Sequence, residues 1–163
     1  MPDDEQQIRT LILQWAEAVH RGDMEATLAD HDADIVMFDV PPPHDGVRGI
    51  DASRETWPGF FAWQAQGAVF EIVTLEVTAG ESVAFAHGLL RCATPQQLAA
   101  HPEARLRLTI GLRKAGRPLA RHTRASLVRR YVGLSVRGHG RNSVAGAAEA
   151  AGAVTADATT AGG

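Results

Sequence analysis

Ile35-Val36-Met37-Phe38-Asp39-Val40-Pro41-Pro42-Pro43 is the stretch around which the rest of the chain falls into place. It reads as an apolar strand that ends in a carboxylate and, past Val40, runs into three prolines. Proline rings fix the chain direction and remove backbone donors, so such a strand can hold one acid at the mouth of a pocket. Asp39 is therefore the first candidate functional residue.

The 163 residues, 45% of them hydrophobic, suit one domain with a substantial core. A formal net charge of -3 exerts no global pull toward nucleic acid or an anionic membrane. The single cysteine, Cys92, cannot form an internal disulfide. With no secretory apolar region near Met1 and no run long enough to span a bilayer, a cytoplasmic location without membrane contact is the expectation. Lys114 is the one lysine, an arginine bias that fits a GC-rich gene rather than a function.

Working back from the strand, Ile8, Leu11, Ile12, Trp15, Ala16 and Val19 follow the three-four spacing of an amphipathic helix, with Asp3 or Asp4 as N-cap. Gly22 stops it, and Asp23 caps a short second helix through Leu28. Polar Asp30 to Asp34 close that unit, and the strand starts at Ile35. Working forward, His44-Asp45-Gly46 is turn chemistry, and Asp51 is read as the N-cap of a third helix that ends by Gly67. Pro58 predicts a kink or restart in it near Trp57. Three β-like segments follow, about Val69 to Thr78, Ser82 to Ala93 and Ala104 to Lys114, the first two forming an antiparallel hairpin. In the second, Ala84, Ala86, Gly88 and Leu90 share one face, and Val83, Phe85, His87, Leu89 and Arg91 the other.

Helices followed by an antiparallel sheet are α+β. Leu13-Gln14-Trp15-Ala16-Glu17-Ala18-Val19 with Gly22-Asp23, the Val36-Met37-Phe38-Asp39 strand end, Arg48-Gly49-Ile50-Asp51 and Ala84-Phe85-Ala86-His87-Gly88 occur in an order that resembles the nuclear transport factor 2-like superfamily, and within it the SnoaL-like, ketosteroid-isomerase-like domains. The resemblance covers about residues 4 to 115. It implies a cone in which N-terminal helices pack on a curved antiparallel sheet around one deep pocket, with residues 1–115 as the domain and 116–163 as an atypical, poorly ordered tail.

Past Lys114 the pattern departs. Between Arg117 and Ala148 there are seven arginines and no carboxylate, and after Ala145 the chain becomes mostly Ala, Gly and Thr of low complexity. Neither segment reads as a core strand, although Leu127, Val128, Tyr131, Val132 and Leu134 offer a poor substitute. Residues after Gly116 can be encoded by a GC-rich string whose neighbouring frame gives Arg-Trp-Leu-Val-Thr-Arg-Glu-His-His-Ser, which looks like the family's last strand. Two readings stand: a one-base slip near the codon for Gly116, or a natural basic tail that binds nucleic acid by counterion release.

The resemblance implies a pocket for a small hydrophobic molecule and proton-transfer chemistry, isomerase or cyclase, on a carbonyl compound. Asp39 looks similar to the general base of the ketosteroid isomerases, and the bland alternative has it fixing the proline turn by backbone hydrogen bonds. The helix position that carries an oxyanion-binding hydroxyl in those enzymes looks like Trp15, and the strand around Leu108 offers no acid, which counts against that activity. His87 and Arg91, four apart on one strand face with Thr109 or Arg107 beside them, serve as proton shuttle and anion binder if that face lines the cone, and as solvated surface groups if it points out. Trp57, Phe60, Phe61 and Trp63 line an aromatic pocket or simply fill the core. No zinc-ligand spacing surrounds His44, Asp45 and Asp39, and no phosphate loop follows a strand, so no metal or cofactor is expected. The alternative to an enzyme is a ligand-binding or dimerisation module, a homodimer through the open sheet face.

Overall fold

The computed structural model describes residues 2–38, 46–114 and 130–138, and Asp39 to Asp45, Ala115 to Arg129 and the Ala- and Gly-rich segment from His139 on lie outside them. Helix α1 (Pro2–Arg21) buries Ile8, Ile12, Trp15, Ala16 and Val19, as the three-four spacing requires. Asp3 and Asp4 stand in its first turn rather than before it, because the helix already begins at Pro2, and both suit the positive end of the helix dipole. At its other end Gly22 has φ +69, its N–H donates to the Val19 carbonyl at 3.0 Å, and the Asp23 N–H donates to that of Ala18 at 3.0 Å. This paired closure needs the left-handed conformation that glycine adopts without cost. Asp23 then caps α2 (Met24–Leu28), accepting from the Ala26 N–H at 3.0 Å.

Strand β1 (His31–Met37) begins four residues before Ile35, because the polar pair His31 and Asp32 is buried. It pairs with the short β2 (Val47–Arg48). Helix α3 (Ile50–Gln64) is capped by Gly49, at φ +88, and not by Asp51, which lies in its first turn. Pro58 sits inside α3 without ending it. It is on the exposed side, where water can take the carbonyl it leaves unbonded.

The remaining elements are β3 (Val69–Ala79), β4 (Val83–Ala93), α4 (Pro95–Ala100), β5 (Leu106–Arg113) and β6 (Arg130–Gly138). The sheet runs β2-β1-β6-β5-β4-β3, with β1 and β6 parallel and the other pairs antiparallel. The sequence reading has no core strand after Gly116, yet β6 occupies the slot between β1 and β5. The sequence Tyr131-Val132-Gly133-Leu134-Ser135-Val136 has the β-branched and aromatic character that suits a strand, and both neighbours need ladder partners there.

Between Ile72 and Thr74 the β3–β4 register shifts by a bulge, and Gly88 of β4 lies against it. A Cβ on Gly88 would run into the Thr74 carbonyl oxygen, so only glycine fits. The helix-facing side of the sheet carries Ile35, Met37, Leu75, Ala86, Leu90, Leu108, Ile110 and Leu112, packed on Ile8, Ile12 and Val19. Each large aliphatic among them contributes about 1.5–3 kcal/mol on burial.

Candidate functional site

The aromatic residues singled out on the third helix do converge. Trp57 and Phe61 stack at 5.6 Å and 28°, and Phe60 stands edge-on to Trp57 at 5.7 Å. Phe60 also meets Trp63 at 5.5 Å and Phe70 at 5.9 Å, and Phe70 meets Trp15 edge-on at 5.5 Å. Four of the candidates, Trp15, Trp57, Phe61 and Trp63, thus join one cluster between helices and sheet. Trp15, Trp57 and Trp63 are buried, whereas Phe60 and Phe61 are half-buried and form its rim. Phe70, which links Trp15 to the rest, was not singled out from sequence; the parity of its strand is obscured by the bulge that follows.

One polar atom in this cluster stands out. The Trp57 Nε1–H is buried and has no hydrogen-bond acceptor among the described residues. Beside it, the β1 end is held by the Ser53 hydroxyl, which donates to the Met37 thioether at 3.2 Å. Asp39 follows Phe38, the last described residue of this strand end, and lies outside the described residues.

The other candidates are elsewhere. In β4 the small face, Ala84, Ala86, Gly88 and Leu90, is the one that turns inward, and Val83, Phe85, His87 and Leu89 are exposed on the outer face. His87 does face Thr109 across the β4–β5 pair, and its Nε2 lies 3.5 Å from Glu76. Arg91 pairs with Glu71 at 2.7 Å. His87, Arg91 and Thr109 therefore stand on the side of the sheet away from the aromatic cluster, as the solvated-surface alternative describes. The parity of the strand was readable; which parity faces the helices depends on how closely α1 approaches the sheet.

A buried polar group absent from the sequence reading lies at the start of β1. Asp32 accepts from Arg113 at 2.8 Å, and Lys114 donates to Asp4 at 2.8 Å, tying β1, β5 and the start of α1 together. His31, next to Asp32, is 8% exposed, and burial pushes its imidazole down to about 4. Burial likewise pushes the Cys92 thiol up to about 12. Among the described residues no three His, Cys, Asp or Glu side chains stand together as a metal site, and no helix is long and apolar enough to cross a membrane.

An α-helical hairpin and a third helix laid on one face of a mainly antiparallel sheet, with an aromatic cluster between the layers, define the nuclear transport factor 2-like class of α+β folds. Solved structures agree. A nuclear transport factor 2-like protein of unknown function from Pseudomonas putida KT2440 is 24% identical, with 83% of this chain and 87% of that one covered at a TM-score of 0.65. A nuclear transport factor 2-like protein with a cystatin-like fold from Novosphingobium aromaticivorans is 19% identical, covering 91% and 88% at 0.62. A ketosteroid isomerase-like protein from Erwinia carotovora atroseptica SCRI1043 is 16% identical, covering 86% and 99% at 0.54. The chain belongs to the SnoaL-like domain family, whose family model matches residues 8–118. No curated protein matches it significantly.

Proposed function

We propose that this chain binds a small hydrophobic carbonyl compound at the aromatic end of its interior and moves a proton on it, with Asp39 as base. The observation that carries the reading is the Trp57 indole, a buried donor without an acceptor among the described residues. Such a group costs about 1–3 kcal/mol while unpaired, and a ligand carbonyl oxygen would recover that. The same N–H would favour the negative oxygen that develops when a proton leaves the neighbouring carbon. Asp39 follows Met37 by two residues in sequence. A carboxylate in apolar surroundings is a stronger base, able to take the proton from one carbon and return it to another. His87 and Arg91 lie across the sheet, so the role of oxyanion partner falls to Trp57. The naming of one solved neighbour as ketosteroid isomerase-like points the same way.

The test is proton-deuteron exchange followed by NMR on a panel of cyclic and aryl ketones. Wild type exchanges α-protons of at least one ketone, Asp39→Asn binds that ketone without exchange, and Trp57→Phe loses affinity and rate together. A ketone bound by wild type without exchange would replace the enzyme by a ligand-binding module. Neither binding nor exchange across the panel refutes both.

A second, compatible reading is a homodimer in which the outer sheet face is the contact. Val73, Val83, Phe85 and Leu89, each 37% exposed or more, stand on β3 and β4 with no cover among the described residues. They share that face with His87 and its neighbour Glu76, and exposed large apolar side chains favour association. Phe85→Glu then halves the mass measured by light scattering, and an unchanged mass refutes the contact.

A further inference from the structure

Helices α1 and α2 line a cleft of about 580 Å³, a volume in the range of small-molecule sites, that neither the family match nor the reading above uses. Leu13, 46% exposed, Trp15 and three alanines make much of its lining apolar. Trp15 also meets Phe70 edge-on at 5.5 Å, so the cleft and the aromatic cluster share one ring as a common wall. Thr27 lines the cleft as well. It is 1% exposed, and its hydroxyl oxygen is buried with no hydrogen-bond partner among the described residues. A threonine within a helix can return its hydroxyl to a carbonyl one turn back, and that of Thr27 makes no such bond. Native proteins rarely leave a buried hydroxyl unpaired, and a ligand group is one way to satisfy it.

The charged groups around the cleft narrow the class of ligand because they are already engaged. Glu17 pairs with Arg21 at 3.3 Å, both side chains more than half exposed, and Asp30 has an interaction of its own. An ion entering the cleft gives up hydration without gaining an unpaired counter-charge, a loss that a neutral molecule avoids. What the cleft offers is apolar wall and one hydroxyl that can both donate and accept; an alcohol matches both capacities, a ketone only the first. We infer that the α1–α2 cleft is a second ligand site, for a small neutral alcohol whose apolar body lies against Leu13 and Trp15 and whose hydroxyl bonds that of Thr27. The inference involves neither Asp39 nor Trp57, so its failure leaves the proton-transfer reading standing, and the reverse holds as well.

Phenethyl alcohol is the probe, with phenethylamine and 3-phenylpropionate as cationic and anionic counterparts of similar size. Titration into the full chain is followed by tryptophan fluorescence and by ligand-observed NMR. The expected result is saturable binding of the alcohol and weaker binding of both ions. Thr27→Val, which keeps the shape and removes the hydroxyl, weakens binding of the alcohol about fivefold, the scale of one net hydrogen bond. Without ligand this variant unfolds at the wild-type temperature or above it, since no protein group loses a bond; a lower midpoint shows that the hydroxyl already has a partner and overturns the inference. Leu13→Arg, at an exposed position where folding is not at stake, abolishes binding. No saturable binding up to about 10 mM, near the weak limit of specific association, overturns the inference. So does either ion binding as tightly as the alcohol, or binding indifferent to either variant.

Discussion

Replacing His31 by Gln should remove much of the protein's sensitivity to mild acid. His31 is held neutral in the folded chain because its imidazole is buried at the start of β1, with a pKa of about 4 against 6.5 for a free histidine. Its folded value is depressed, so the stability tied to it is fully present above the unfolded value. That stability is lost as the pH falls from 6.5 toward 4, where the unfolded chain takes up a proton that the folded chain refuses. A gap of this size corresponds to roughly 3 kcal/mol once the pH is below both values, at a slope near 1.4 kcal/mol per pH unit between them. At pH 5 the loss is already about 2 kcal/mol, which moves a urea midpoint by roughly 1 M for a small domain. The measurement is urea unfolding at half-unit steps from pH 7.5 to 4.5 for wild type and His31→Gln. The Asp32–Arg113 and Asp4–Lys114 pairs are present in both proteins. The difference should run with the histidine slope and flatten above pH 6.5. Parallel curves for the two proteins, or an NMR titration of His31 in the folded chain near 6.5, would refute the reasoning.

Gly88→Ala should cost about 2–3 kcal/mol, because its methyl meets the Thr74 backbone at the bulge, where no side chain can move aside; thermal unfolding reads it directly. Ile110→Ala, at a fully buried position, should cost about 2–5 kcal/mol in chemical denaturation. Cys92, its thiol pushed up to about 12, should resist a disulfide reagent at pH 8 in the native state and react at once in urea; prompt native reaction would show an accessible thiolate. Sequencing the gene across the codons for Ala115 to Ser126 should reveal one base gained or lost, since the family match stops at residue 118 and the departure starts at Gly116; an intact frame removes the slip and leaves the basic tail as native.

Much of the fold was legible because it is written locally. Gly22 and Asp23 announce the α1–α2 turn through backbone needs that few other residues meet, and the α1 stripe follows from its period. The α4 turn was equally readable and was passed over: Thr94 and Gln97 form a reciprocal cap around Pro95. Other features exist only in three dimensions. His31 and Asp32 look like loop residues until β5 brings Arg113 to them, and Trp57 looks like any core aromatic until its surroundings show whether the indole N–H has an acceptor. The two faces of β4 are separated by parity, the small one invites close packing, and the bulky face is the one left to solvent.

The last described strand in sequence is an inner strand in space. During synthesis the chain leaves the ribosome with β2-β1 on one side and β5-β4-β3 on the other, and nothing among the described strands bridges them until Arg130–Gly138 emerges. Two half-sheets, each with an open ladder edge, must then wait for a segment made after all of their own strands. A nascent chain halted before that point would expose both edges at once, a substrate for chaperones and for proteases rather than a smaller working domain.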